Sequence, residues 1–557
     1  MDQVTLPPGW EHHAAPAATL FDPLGPSIAW WATGAILSLA AFVLLTARPR
    51  LSLALALLSA LALAIAANGL VDDAYIQFRY AANLAAGRGP VFNPGERLEG
   101  ASGGIWIGAV ALASALTRVD AALCGRVLSL VAAVCSVVAA AAFGRACGGR
   151  RGAALAAIAW GSIPTAALYA ATGLETSAYT LALWSVAASV VRDRRGPAAA
   201  AGALVATLRP EGVVLALGAA LFFRRLGRAG RAAVVGCLAG ALVIACARLA
   251  WYGAPVPRPA LVKGIVAPAG VAAGLRYLGQ AATEWWPLVP ALLWMAPRRR
   301  ALLPILVPVA LLTCLVVTRG GDWMPGGRYL VPLVVLLVAM ATATVAGRVG
   351  DGRPTGPARL AALWLAPGPL AWGLLLLMPH PGPLEGLPRI PIGGAWRAMA
   401  EHRVQSRWWE ALGSWLRENA PPGTHLASGP SGALPYASRL PTFDIYGLCS
   451  LVTNRGGTEA GHGLWGLREA VASGADIIYP GRELLLVESP GRALPAAERR
   501  IADETDPLAG YRPVTITHVP EYRLDFLRDV IWVRRWKSGP ALTRLSKNGE
   551  DSPGRGR

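Results

Sequence analysis

Two adjacent carboxylates, Asp72 and Asp73, stand where a long apolar run, Leu51–Leu70, comes to an end. The run is long enough to cross a bilayer, which sets both acids at a membrane surface. Arg79, Arg88, Glu96, Arg97 and Glu99 follow in the polar segment behind them. An acidic pair so placed, with cations downstream, suits chemistry on a charged, lipid-borne substrate. Such a carboxylate can take a proton from a sugar hydroxyl or hold a divalent cation. The competing reading is a cap, with the acids satisfying backbone N–H groups at a helix end. Of the two, Asp72 lies nearer the end of the run and is expected to be the key acid.

Four further stretches carry chemistry-bearing residues. Glu175, in YAATGLETSAY, falls where one apolar run ends and the next begins, so it is either a cap or a second acidic ligand facing the first pair. Should a metal bind, Asp72 and Glu175 are the expected ligands. Arg209, in LRPEG, lies between two short apolar pieces with Pro210 breaking the helix, and an arginine there is costly unless paired. Arg258 and Lys263, in WYGAPVPRPALVK, read alone as solvated charge. RGGDWMPGGRYL gathers Arg319, Asp322 and Arg328 among four glycines, a pattern that suits arginine clamping of phosphate oxygens. His462, in EAGHGLWG, has no second ligand at metal spacing, and His12/His13 read as part of a loose tail. Walker, nucleophile-elbow and dinucleotide motifs are missing, which removes soluble nucleotide chemistry.

Composition fixes the setting for these residues. Of 557 residues 54% are hydrophobic and 15% charged, too few charges to cover a soluble protein of this length. The formal charge of +19 comes from short arginine clusters between apolar runs, the pattern of cytoplasmic loops rather than of a nucleic-acid surface. Twelve apolar runs between residues 28 and 379 read as membrane helices, several shorter than a full span. Arginines cluster in every second connection, as at Arg48/Arg50, Arg150/Arg151, Arg192/Arg194/Arg195 and Arg298–Arg300. The alternation holds if Gly104–Thr117 lies on the outer surface as an interfacial helix. The acidic pair, GLETS, LRPEG, the 251–283 loop and RGGDWMPGGR then all face outward, and their convergence on one side marks a candidate active site. Residues 1–27 contain no Lys or Arg, so no signal peptide is expected. The seven cysteines offer no disulfide framework, since only Cys449 falls in the soluble C-terminal part.

The reading is thus a polytopic α-helical membrane protein of about 11–12 membrane helices with a C-terminal extracytoplasmic α/β domain. Its parts are an outer tail (1–27), a membrane domain (28–379) with an outer catalytic loop (71–122), a soluble domain (380–536) and a disordered tail (537–557). In the soluble domain, Trp408, Trp409, Leu412, Trp415 and Leu416 are spaced as on a helix. Strands are predicted at His425–Ser428, Thr442–Ile445, Ile477–Tyr479 and Asp529–Arg534.

The run DDAYIQFRYAANLAAGRGPVFNPGERLEG resembles the first outer loop of a bacterial GT-C family of polyprenyl-phosphate-sugar glycosyltransferases, arabinofuranosyltransferases among them. GLETSAY, LRPEG, WYGAPVPRPALVKG, GGDWMPGGRYLVPL, GALPYASRLPTFDIYGL and AGHG follow in the family's order, from about residue 70 to 465. Two stretches depart from the family: EGASGGIW replaces EGYTxxLW, and PRPALVK replaces a PNTFYAK-like run. The resemblance implies a GT-C fold in the plasma membrane with an outward-facing site. It implies a polyprenyl-phosphate-linked sugar donor and an envelope glycan, lipid or protein acceptor, with no nucleic acid. The catalytic acid falls on Asp72 or Asp73. Donor phosphate falls to Arg209, Lys263 and Arg328, with Arg79, Glu175, Arg258, Asp322 and His462 as further substrate-binding positions. A prenyl phosphate is already a good leaving group, so no metal need take part, and a divalent cation stays optional. Transfer of mannose in place of arabinofuranose is the nearest alternative. A transporter or flippase of lipid-linked sugars is the rival from another class, though the sequence has no internal repeat to support it.

Overall fold

The computed structural model describes residues 2–5, 26–67, 69–262, 268–285, 299–322, 324, 326–349, 394–451, 467–479, 511–517 and 528–534. Strand β1 (Asp2–Thr5) precedes two apolar helices, α1 (Pro26–Val43) and α2 (Pro49–Ala66). These pack antiparallel: Ser59 Oγ donates to the Gly34 carbonyl at 2.7 Å and Ser52 Oγ to that of Ala41 at 2.5 Å. A proline opens each, where its missing N–H costs nothing. Next come α3 (Asp72–Ala85) and α4 (Gly104–Thr117), the latter matching the expected surface helix in its bounds.

The segment Ala121–Gly161, α5, is a helical hairpin. Gly148 and Gly149 leave helical geometry, Gly149 at φ 61°, beside the Arg150/Arg151 cluster. The two arms touch so closely at Gly144 and Gly152 that a Cβ on either would strike the other's carbonyl. Farther along, Trp160 Nε1 donates to Ser136 Oγ at 2.8 Å. Then follow α6 (Pro164–Leu168), α7 (Thr176–Val191), α8 (Arg195–Leu208), α9 (Gly212–Ala220), α10 (Arg228–Tyr252), α11 (Arg258–Val262), α12 (Pro268–Trp285), α13 (Arg299–Thr318) and α14 (Val331–Val349).

Three of these helices, α2, α5 and α10, are long and apolar enough to cross a membrane, and five shorter apolar helices lie among the described residues. Val127, Val131 and Val138 on α5 and Leu242, Val243 and Leu249 on α10 are exposed, as lipid-facing side chains must be. The chain is a multi-pass membrane protein. Two of the expected runs, 284–297 and 358–379, fall largely or wholly outside the described residues.

The C-terminal part is built of α15 (Gly394–Asn419), β2 (Leu426–Ser428), α16 (Ala433–Ser438), β3 (Thr442–Asp444), α17 (Leu467–Ala472), β4 (Ile477–Tyr479), β5 (Tyr511–Thr517) and β6 (Arg528–Arg534). The six-stranded sheet runs β1-β5-β6-β4-β2-β3. Strand β2 pairs parallel with β3 and β4, while β6 is antiparallel to β4 and β5. Leu412 and Leu416 of α15 bury against Leu426, Ile477 and Tyr479, so the predicted apolar helix face packs on the predicted strands. Residues 2–5, expected within a tail, pair parallel with β5 and form one edge of the sheet. The tail expected at 537–557 lies outside the described residues.

Candidate functional site

Helix α3 lies at the junction of the membrane helices and the sheet domain. It starts afresh at Asp72 behind a non-helical connection, with Val71 as its N-cap and both acids in its first turn. Carboxylates there complement the helix dipole. Consecutive residues on a helix point about 100° apart, so the two acids part company at once.

Asp72 turns to the sheet domain. Its carboxylate accepts the backbone N–H groups of Gly432 (3.1 Å) and Ala433 (2.7 Å) at the start of α16, and the residue is buried. The fit is close: a Cβ on Gly432 would collide with the Asp72 carbonyl. Burial raises the Asp72 carboxyl to about 7, against the lowering effect of the Ala433 N–H bond, while the nearby charge of Asp73 raises it further. Expected as the key acid, Asp72 is instead committed to holding a neighbouring helix in place. Asp73, 19% exposed, faces the opposite way and accepts from Arg328 Nη2 at 3.0 Å.

A cleft with about 460 Å³ of space opens on Asp73, Ile76, Gln77, Ser102, Glu175, Arg209, Arg328 and Tyr329, among others. Local sequence delivers each basic group. Arg209 ends α8 in an extended conformation (φ −144°, ψ 131°), the geometry forced on a residue preceding proline. Gly326 and Gly327, both left-handed, bring the chain round into a 3₁₀ turn that begins at Arg328. Arg328 donates through Nε to Asp322 Oδ2 at 2.7 Å and through Nη2 to Asp322 Oδ1 at 3.2 Å, a forked grip that orients it toward Asp73. The phenol ring of Tyr329 lies 4.7 Å from the Arg209 guanidinium carbon and 5.2 Å from that of Arg328. Two buried cations thus flank one aromatic ring.

Glu175 precedes α7 without capping it. Its carboxylate instead accepts Gln77 Nε2 at 2.6 Å and stands 3.5 Å from Arg209 Nη1, which makes no hydrogen bond. Arg209 Nε is also 3.5 Å from Glu211. Gln77 Oε1 is buried and makes no hydrogen bond. An acceptor and a donor are therefore left at the cleft for a ligand to satisfy. A small apolar pocket lies among α2, α5, α6 and α7, lined by Ala60, Ala64, Trp160, Tyr169 and Thr176, among others.

Other sequence candidates serve elsewhere. Arg79 is buried away from the cleft, where it donates to the carbonyls of Phe92 (2.8 Å), Leu440 (2.8 Å) and Pro435 and to Asn93 Oδ1 (3.0 Å). It binds the outer loop to the sheet domain rather than a substrate, and burial lowers its guanidinium to about 10. Arg258 Nε donates to the Gly447 carbonyl at 2.8 Å, another link of the same kind. Lys263 and His462 lie outside the described residues. Of the two expected metal ligands, Glu175 lines the cleft and accepts Gln77, while Asp72 does not line it and accepts the Gly432 and Ala433 N–H groups. Among the described residues no group of three or more His, Cys, Asp or Glu side chains could hold one.

Sequence reasoning did not single out Gln77, Tyr329 or the buried pair Arg248–Glu99. Gln77 lies four residues after Asp73, a spacing that would have placed it on the same helical face had α3 been expected. Arg248 Nε meets both Glu99 oxygens at 2.9 Å and its Nη2 donates to the Ser102 carbonyl at 2.8 Å, pinning the cleft-lining loop to α10. A carboxylate so far away in sequence left no local trace of that pairing.

With this geometry in place, three likenesses bear on the chain. A family model described as a domain of unknown function (DUF8728) matches residues 395–529, the sheet domain. A solved structure, the archaeal oligosaccharyltransferase AglB from Archaeoglobus fulgidus in complex with an inhibitory peptide and a dolichol-phosphate, superposes with a TM-score of 0.43 at 10% identity over 70% of this chain and 64% of that one. The terminal beta-(1->2)-arabinofuranosyltransferase of Mycobacterium tuberculosis is 29% identical over 367 residues, covering 55% of this chain and 58% of that enzyme's length. Over that shared part the chain is a distant homologue of the arabinofuranosyltransferase.

Proposed function

We propose that this protein is a membrane glycosyltransferase of the GT-C kind, which moves a sugar from a polyprenyl-phosphate donor to a hydroxyl of an envelope glycan, lipid or protein. The observation that carries this reading is the cleft itself, where the Asp73 carboxylate and two buried arginines meet. The distant homology to an arabinofuranosyltransferase supports it and makes arabinofuranose the first sugar to test. In this reading Asp73, rather than Asp72, takes the proton from the acceptor hydroxyl. Arg328 holds it in place, and Asp322 fixes Arg328. The donor phosphate lies against Arg209 and Arg328, whose charges stabilise it as it departs. Gln77 and Glu175 read the sugar hydroxyls. The arginine alternation in the sequence supports an outward-facing site in the plasma membrane.

The test is transfer by the purified full chain from prenyl-phosphate arabinofuranose and prenyl-phosphate mannose to a glycan acceptor, followed by mass spectrometry. Wild type should transfer one sugar, and Asp73→Asn should lose about 100-fold or more in turnover, the scale of general-base catalysis. Full activity in Asp73→Asn would remove the base assignment. No transfer from either donor, with movement of intact donor across a vesicle membrane, would favour a flippase.

A further inference from the structure

A second group of charged side chains, none of which lines the cleft, lies where α15 packs against α3. Arg403, Arg407 and Glu410 occupy positions i, i+4 and i+7 of α15 and so share one helical face. Tyr75 donates to Glu410 Oε2 at 2.8 Å, which places that face against α3. Arg126 comes from the first turns of α5. Burial lowers the Arg403 guanidinium to about 9; Tyr169 opposes that, and the charges of Arg126 and Arg407 add to it, while the Glu410 carboxylate acts on Arg126 and Arg407.

Arg403 is the unusual member. It is 4% exposed, yet among the described residues no carboxylate pairs with it. Its Nη2 reaches the Leu168 carbonyl at a long 3.4 Å, and its Nε makes no hydrogen bond. The stem is nonetheless firmly seated. It runs over Gly69, where any Cβ would overlap the Arg403 Cδ and where φ is 156°. A seated, buried cation costs several kcal/mol unless it is paired, and no described carboxylate pairs with this one, while two neighbouring cations add to that cost. An anion would remove it. The surroundings also point to where the anion comes from: Gly69 follows α2 and Arg126 lies near the start of α5, so the guanidinium stands close to the ends of two membrane helices.

We propose that Arg403, flanked by Arg126 and Arg407, is a phosphate-binding site at the membrane boundary, separate from the cleft. Its ligand is a phosphate group, which matches a guanidinium in planar, forked geometry. At this depth the source is a lipid headgroup, with free phosphate as the other source of the same chemistry. The site does not depend on the glycosyltransferase reading, and its test does not measure sugar transfer.

The full chain, purified in a maltoside detergent free of phosphate and lipid, would be titrated with inorganic phosphate and, separately, with phosphatidic acid. Thermal unfolding and native mass spectrometry would be the readouts. Phosphatidic acid should raise the wild-type unfolding temperature and remain bound in the mass spectrum. In Arg403→Gln that shift should vanish, with retention at least tenfold weaker. In Arg403→Lys, which keeps the charge and loses the fork, retention should fall to an intermediate level. Without added anion, Arg403→Gln should unfold no lower than wild type, because it removes an uncompensated charge. A shift with inorganic phosphate equal to that with the lipid would identify a free anion as the ligand and overturn the lipid assignment. Absence of any shift in wild type would overturn the site whatever the variants do. So would retention unchanged in both variants, or an Arg403→Gln that is destabilised equally with and without anion, the signature of a purely structural arginine.

Discussion

The face of α3 turned to the cleft and the face turned to the sheet domain carry similar residues to different ends. Toward the cleft stand Asp73 and Gln77, the first bonded to an arginine and the second with its carbonyl oxygen left over. Toward the sheet domain stand Asp72 and Arg79, whose polar groups meet backbone partners from residues 432–440. One face is satisfied and the other keeps hydrogen-bonding capacity in reserve. An acid next to an arginine in sequence is therefore poor evidence of chemistry. What separates the two faces is whether a ligand still has something to bind.

The largest effect expected from breaking this division lies at Arg79. Arg79→Ala would remove the charged donor from the carbonyls of Phe92, Pro435 and Leu440 and from Asn93 Oδ1, each of which keeps at least one weaker donor, at about 1.5–3 kcal/mol for each bond to a charged group before relaxation. A loss of about 3 kcal/mol or more is expected, read as a fall in denaturation midpoint with earlier proteolytic release of the sheet domain. Unchanged stability would mean that the structural face of α3 does not hold the two parts together.

A smaller effect on turnover rather than stability is expected on the cleft side. Arg328→Lys keeps the charge and loses the fork that grips Asp322 while reaching Asp73, so transfer should fall about tenfold to a hundredfold. Arg209→Lys should fall by a similar factor. Fully active lysine variants would reduce both arginines to packing elements and blur the contrast between the faces.

A third effect, spread over the pH range rather than seen at one pH, is a pH dependence centred on Asp72. Its carboxyl sits at about 7 in the folded protein against 3.8 for an exposed one. Between those values the folded state holds a proton that the unfolded state has released, so stability declines as pH rises from about 4 to 7. The slope is about 1.4 kcal/mol per pH unit at most. Thermal unfolding against pH should show that decline in wild type, a flatter curve in Asp72→Asn and, in Asp73→Asn, a decline that ends at lower pH because the charge that helps raise the Asp72 carboxyl is gone. Equal flattening by both variants would contradict the division of labour.

Much of the fold could be read along the chain. Arg150/Arg151 marked the turn of the α5 hairpin, Pro210 marked the break that frees Arg209, and the apolar runs around Leu426, Thr442 and Ile477 became strands. Two strands were missed for a plain reason. Residues 2–5 are too short to carry a pattern, and Tyr511–Thr517 is interrupted by Pro513. Helix α3 was also missed as a helix, since its mixed sequence lacks a side-chain cap at Val71 and is helical because it is packed on three sides.

The sequence by itself determined that this chain crosses a membrane repeatedly, where its helices break, and which acids and arginines gather at those breaks. Hydrophobicity, proline and glycine act locally, so their effects are visible in a short window. Only the tertiary structure decided which of two adjacent aspartates meets an arginine, that Arg79 is bound by backbone carbonyls 356 and 361 residues away in sequence, and that Arg403 is buried with no carboxylate partner among the described residues. Those outcomes depend on which face of a helix meets which distant segment. A rotation of about 100° between neighbouring residues changes that meeting without leaving any mark on the local sequence.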